Sequence, residues 1–194
     1  MNDVVLAVVL AVAAYLAGSF PTASVVGMLS GHDHSKEGSG NPGASNVWRT
    51  SGATYGLITV VVDVAKGLVP VLATLVVFDR EYAAVVWATA TFGHVFPLAR
   101  WRRGGKGVAT AGGGSLPLFP IYGLMLIVVF VVVVKLTKRA SVGSLLIAVL
   151  LPVGAIVLHD HVAELIASFA VAALVVARHR ANIGRLLSGD ELKV

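Results

Sequence analysis

The sequence predicts an all-α integral membrane protein with seven transmembrane helices, some short or broken, the N-terminus outside and the C-terminus cytoplasmic. Three observations carry this. First, 57% of the 194 residues are hydrophobic and 13% charged, with a mean hydropathy of +0.87; soluble domains carry about 25% charge. Second, the apolar residues fall in seven runs, at roughly 4–29, 53–78, 83–99, 107–119, 121–134, 141–158 and 162–177. Third, thirteen of the fifteen Lys and Arg lie in four clusters between those runs.

The first run is preceded by Asp3 and no basic residue, and no small-residue cleavage site comes after it. It reads as a spanning helix, not a signal peptide. Five of the runs are long enough, or nearly so, to cross about 30 Å of hydrocarbon at 1.5 Å per residue. The fourth and fifth are ambiguous, because 107–119 is short and carries Gly112, Gly113, Gly114 and Pro117, with Pro120 just beyond.

Charge resolves the count. The basic clusters are Lys36 and Arg49; Arg100, Arg102, Arg103 and Lys106; Lys135, Lys138 and Arg139; and Arg178, Arg180, Arg185 and Lys193. Cytoplasmic boundaries attract Lys and Arg. Two segments turning near Phe119-Pro120 put all four clusters on that side; one continuous span would put two of them outside. The short fourth segment then requires cover from protein or a polar cavity. No soluble domain, linker or repeat stands out, so residues 1–194 read as one polytopic domain.

The chain has no cysteine, which excludes disulfides, thiolate metal sites and a cysteine nucleophile. The net charge of +5 fits topology and attraction to anionic headgroups or substrates better than nucleic-acid binding.

Three polar segments share the cytoplasmic side. Gly38–Arg49 reads GSGNPGASNVWR. Glycines that turn backbone N–H groups into one concavity, short polar side chains and an arginine fork predict an oxyanion cradle; the alternative is an irregular connector. In the second segment, Gly104-Gly105-Lys106-Gly107 opens a helix, so N-terminal N–H groups and a lysine form a natural phosphate site; the alternative is a helix–helix turn with interfacial lysines. It is not a Walker A loop, lacking that spacing. The third runs from Arg178 to Leu187, where His179 and Asn182 share a helical face; the alternative is an interfacial tail with snorkelling arginines.

Other polar residues read as structural. Asp63 and Lys66, three apart in an apolar run, predict an ion pair holding helices together. His94 borders the site or makes a structural hydrogen bond. His32 and His34 read as solvated loop residues, and His159-Asp160-His161 as a short acidic turn.

Taken together and in order, these motifs resemble the bacterial acyl-phosphate:glycerol-3-phosphate acyltransferase family (PlsY). The matching pieces are Gly18-Ser19-Phe20-Pro21, GSGNPGASNVWR, Asp63 with Lys66-Gly67, Gly93-His94-Val95-Phe96-Pro97, GGKGVAT, Arg139 with Ser141 to Ser144, and RHRANIGRLLSGDE. The resemblance spans nearly the whole chain. One departure is Ser45, where the family more often has threonine; the hydroxyl is kept.

The resemblance implies seven helices around a cytoplasm-facing pocket in the bacterial plasma (inner) membrane. It also implies transfer of a fatty acyl group from acyl phosphate to the 1-hydroxyl of glycerol 3-phosphate, giving lysophosphatidic acid and phosphate without acyl-CoA or acyl carrier protein. Ser39, Arg49, Lys106, His179 and Asn182 match its active positions. Gly38, Gly40, Asn41, Gly43, Ser45, Asn46, Gly104, Gly105, Gly107 and Ser144 are the expected substrate contacts, and Glu191 matches an acidic residue tied to integrity. The HxxxxD motif of other acyltransferases and a G-x-S-x-G elbow are absent. The expected partners are the two substrates and the lipid bilayer. No cofactor, metal or nucleic acid is expected, and the chain is expected to be monomeric. The rival readings are a transporter for a phosphorylated solute, which needs a polar lining continued to the outer face, and a non-catalytic scaffold.

Overall fold

A computed structural model describes residues 2–98, 104–158 and 161–194. Arg100, Arg102, Arg103, His159 and Asp160, which belong to the charge clusters and the acidic turn, lie outside the described residues. Among those described, the secondary structure is ten helices and no strand: α1 (Asp3–Gly18), α2 (Thr22–Ser30), α3 (Ala44–Ser51), α4 (Ala53–Val77), α5 (Arg80–Val95), α6 (Val108–Leu118), α7 (Pro120–Thr137), α8 (Ala140–Leu158), α9 (Val162–Arg178) and α10 (Arg180–Ser188).

Among the described residues, four stretches are long and apolar enough to cross a membrane, Asp3–Ser30, Ala53–Val77, Pro120–Thr137 and Ala140–Leu158, or five if the bent pair α9–α10 is one span. The first run is two helices, because Pro21 lacks the N–H needed to continue α1. Most aliphatic side chains of α7 are exposed, Ile121, Leu124, Met125, Val128 and Val132 among them, with only Gly123 and Leu126 buried. That arrangement suits hydrocarbon surroundings and not water.

The fourth and fifth runs separate where the prolines predict. On one continuous helix, Leu116 and Gly123 would lie about 10 Å apart. Instead, a Cβ at Gly123 would stand 3.4 Å from Leu116 Cα, so α7 folds back against α6 at Phe119-Pro120.

Small residues let the inner helices approach closely. A Cβ on Gly67 would strike the Thr110 carbonyl, and one on Gly113 the Val64 carbonyl, which locks α4 against α6. Gly18 and Gly93 do the same between α1 and α5. Trp87, fully buried, donates its indole N–H to Ala111 O at 2.9 Å.

The bundle has two unlike ends. At one, Arg80 bonds Glu164 and donates to Leu118 O at 2.7 Å, pinning α5, α6 and α9. At the other end gather the segment before α4, the Gly104–Lys106 turn, the α7–α8 turn and the chain beyond His179. They are tied by Arg49 Nε to Lys193 O and by Val194 N–H to Lys138 O, both 2.8 Å, and by Arg178 Nη2 to Gly104 O at 3.1 Å. The basic clusters that can be placed share this end.

Candidate active site

A cavity of about 300 Å³ opens at the basic end, and the three polar segments meet around it. Ser39, Asn41, Gly43, Ser45, Asn46 and Arg49 border it from the first segment, Lys106 and Gly107 from the second, His179 and Asn182 from the third. Asp63, His94, Ser141 and Glu191 complete the polar wall, while Val64, Leu116, Ile127 and Phe130 form an apolar one.

The first segment differs from its predicted form. Its second half is helix α3, so Ser45, Asn46 and Arg49 stand on a helix and not in a loop. The expected cradle of glycine N–H groups is also corrected. Gly40 N–H bonds Glu37 O, Gly43 N–H bonds Asn41 O, and Ser39 N–H bonds Asn46 Oδ1. Asn46, 1% exposed, holds the loop together: its amide donates to the His34 and Glu37 carbonyls at 3.0 and 2.9 Å. The curl needs φ of +58° at Gly38 and +67° at Gly40, which glycine adopts without strain. These two glycines do not border the cavity; they shape the loop around Asn46.

The second segment behaves as its pattern predicts at one point and differs at another. Gly107, at φ +85°, caps α6 without any side-chain hydrogen bond, so the helix N-terminus opens beside Lys106. The α3 N-terminus, capped only by the Gly43 backbone, faces the same cavity through Ala44 and Ser45. Two helix N-termini and two cations therefore converge on one space, which favours bound anions. Gly104 and Gly105 lie behind this wall. A Cβ on Gly104 would strike the His94 and Val95 carbonyls, and one on Gly105 the His94 ring. They allow close packing, and neither borders the cavity.

Burial pulls the Lys106 ammonium down to about 8, with Arg185, Arg49 and Arg178 lowering it further and Glu191 opposing. Burial likewise takes His179 down to about 4, so its ring is neutral at pH 7. His179 Nδ1 lies 2.7 Å from Val175 O. A carbonyl only accepts, so Nδ1 carries the proton and Nε2 is left as a lone-pair acceptor. Asn182 donates Nδ2–H to Glu191 Oε1 at 2.6 Å, and its buried Oδ1 has no hydrogen-bond partner among the described residues. Burial alone would raise the Glu191 carboxyl, but hydrogen bonds, including those from Asn182 and Arg185, hold it below the ordinary value. The third segment is bent by 53° between α9 and α10, with His179 at the junction. It thus presents two acceptors opposite a cationic wall. That set suits a molecule bearing both a phosphate and hydroxyl groups.

Deeper in, Asp63 Oδ1 accepts from Lys66 Nζ at 2.7 Å and from Thr22 Oγ1 at 2.8 Å, the ion pair that the spacing predicts. His94 borders the cavity, but its buried Nδ1 is 3.7 Å from Asp63 Oδ1 and makes no hydrogen bond among the described residues. His34 is not solvated: it is 2% exposed, bonded to Ala23 O at 3.1 Å and Ser51 Oγ at 2.7 Å. His32, by contrast, is partly exposed and pairs with Glu37. Ser144 is buried away from the polar wall, its hydroxyl returned to Ala140 O at 2.8 Å. Asp63 and Ser141 join the site from different helices, a convergence with no signal in local spacing, whereas His94 borders it as one of its two expected readings. Among the described residues, no group of three or more His, Cys, Asp or Glu is arranged to hold a metal ion.

The geometry has close relatives. The family model described as glycerol-3-phosphate acyltransferase matches residues 8–189. A glycerol-3-phosphate acyltransferase of Trichlorobacter lovleyi is 42% identical over 93% of this chain and 93% of its own. That of Geobacter sulfurreducens is 38% identical over 98% and 97%. The crystal structure of PlsY (YgiH), an integral membrane glycerol 3-phosphate acyltransferase, superposes in its glycerol 3-phosphate form with a TM-score of 0.92 and 33% identity, covering 97% of this chain and 95% of that one. Its lysophosphatidic acid form gives 0.89, with 33% identity over 96% and 94%. An all-helical membrane architecture, matched along almost its whole length in sequence and in structure, places this chain in the glycerol-3-phosphate acyltransferase family that PlsY represents.

Proposed function

We propose that the protein transfers a fatty acyl group from acyl phosphate to the 1-hydroxyl of glycerol 3-phosphate, releasing lysophosphatidic acid and inorganic phosphate. One observation carries this reading. A single cavity joins a cationic wall with two helix N-termini to an apolar wall of Val64, Leu116, Ile127 and Phe130. Such a cavity suits two phosphates at one end and a hydrocarbon chain at the other.

The chemistry needs little from the protein beyond placement. Acyl phosphate is a mixed anhydride with a good leaving group, so positioning and charge stabilisation supply the rate. The glycerol hydroxyl oxygen bonds the acyl carbon, the carbon–oxygen bond to phosphate breaks, and phosphate departs. Arg49 and Lys106 hold the phosphates. Ser39, Asn182 Oδ1 and His179 Nε2 orient the reacting hydroxyl. The proton goes to phosphate: a phosphate monoester titrates near ~6, whereas His179 is depressed to about 4. His179 Nε2 is thus a hydrogen-bond acceptor for the hydroxyl and the reserve base.

The same reading sets the topology. Seven stretches cross the membrane, with α5 and the short α6 covered by their neighbours. The N-terminus lies outside, and the site faces the cytoplasm at the inner membrane of a bacterial cell. The chain works as one domain over residues 1–194, as a monomer and without a cofactor.

The test is to incubate the purified protein with palmitoyl phosphate and glycerol 3-phosphate while monitoring phosphate and lysophosphatidate. Both products are expected only when both substrates are present. Phosphate release without glycerol 3-phosphate would mean hydrolysis, and no release at all would sink the donor assignment.

A further inference from the structure

The cavity continues past its apolar wall. Val108, Gly112, Ile127 and Ile147 border both it and a narrow crevice of about 40 Å³ between α6, α7, α8 and α9. Buried Leu126, Ala148, Leu151 and Val171 close that crevice. From Val108 to Ser115 it runs along α6 for about 10 Å. Its two hydroxyls are turned back on their own helices, Ser115 to Gly112 O and Ser144 to Ala140 O, both at 2.8 Å. What remains facing the crevice is hydrocarbon.

Of three successive glycines in α6, Gly112 stands at its mouth, and packing accounts for the other two. A Cβ on Gly113 would strike the Val64 backbone, and one on Gly114 the Trp87 ring. A Cβ on Gly112 would meet nothing within 4 Å. Glycine inside a helix is destabilising relative to alanine, so the bare position has no packing reason.

We infer that Gly112 sets acyl-chain specificity: its missing side chain keeps the passage from cavity to crevice open for the far end of the donor chain. The inference rests on the acyl-phosphate reading above. A side chain here narrows the passage that a long chain must take and a short one does not reach. One methylene more or less in an apolar pocket is enough to discriminate by about tenfold or more.

The experiment compares kcat/KM for dodecanoyl and palmitoyl phosphate in purified wild type, Gly112→Ala and Gly112→Val, with thermal unfolding as the check on folding. The dodecanoyl-to-palmitoyl ratio is expected to rise about tenfold in Gly112→Val and by less in Gly112→Ala. An unchanged ratio in folded Gly112→Val overturns the proposal. Should that variant not fold, Ala148→Val narrows the same crevice from α8 and must move the ratio in the same direction. If wild type uses neither acyl phosphate but does use another acyl donor, the donor assignment fails while the same ratio measured with that donor still decides Gly112. Transfer from no donor overturns both.

Discussion

The two glycine-rich segments look alike in sequence and behave differently in space. In the first, the Ser39, Gly40 and Gly43 N–H groups are consumed internally, and Asn46 binds the curl from within. In the second, Gly104 and Gly105 let the turn press on His94, and only Gly107 leads to an open helix end. The donors that face the cavity belong to the helix that starts immediately after each glycine cluster, α3 in one case and α6 in the other. Glycine density marks where the backbone must pass close to something. The anion-binding groups stand just downstream.

Each part of this contrast can be attacked. The largest effect is expected at the cations. Lys106→Ala and Arg49→Ala should each lower lysophosphatidate formation by about 100-fold or more, in the range seen when one preorganised charge donor is removed. Near-normal turnover in both folded variants would show that the cationic wall is not the phosphate wall.

Next comes Asn46→Ala, which strands the Ser39 N–H and the His34 carbonyl and leaves the Glu37 carbonyl with Gly40 N–H alone. Unpaired buried groups cost about 1–3 kcal/mol each, and the displaced loop should cost activity about tenfold or more. Thermal unfolding and steady-state kinetics together read this. A stable, active variant would mean the loop holds its shape without its internal tie.

The third test concerns the other segment. Gly105→Ala drives a methyl into the His94 ring and should reduce activity by about tenfold. His94→Ala in the same chain makes room and should restore part of it. No rescue would place the constraint at Gly105 elsewhere than His94.

The smallest effect is a pH limb. Lys106 is cationic below about 8 and loses its charge above it. A phosphate site that needs this cation should show kcat/KM falling as pH rises through about 8, since kcat/KM reports the free enzyme. Lys106→Arg should carry the limb to higher pH, because guanidinium keeps its proton. A profile flat to about pH 9.5 in wild type would break the assignment, since a lysine titrating near 8 is neutral by then.

Much of this molecule is legible in its sequence, for physical reasons. Pro120 marks the start of a new helix because its missing N–H is not needed there, and the break falls at Phe119, with Pro117 carried inside α6. Asp63 and Lys66 declare their pairing by spacing on an apolar helix. Helix α3 is hidden, since it is only eight residues long and follows a Gly-Asn-Pro-Gly stretch that reads as a turn. His34 reads wrongly as solvated because its partners, Ala23 and Ser51, lie in separate helices. The use of Ser39 N–H, Gly40 N–H and Gly43 N–H is illegible as well, because composition does not say which carbonyl or amide will claim a donor.

The ion pair in α4 has a further consequence, for how the chain enters lipid. An isolated Asp or Lys at the centre of a helix opposes insertion by about 3 kcal/mol. Here the two lie one turn apart on the same helix, 2.7 Å from each other. Helix α4 therefore carries its own counter-ion into the bilayer, and Thr22, from the segment synthesised before it, is already available as the next partner. His94 and Thr110 arrive afterwards. The charge that later borders the cavity is neutralised during biogenesis by its nearest neighbour in sequence, so this helix can be delivered to the membrane before the bundle that will enclose it exists.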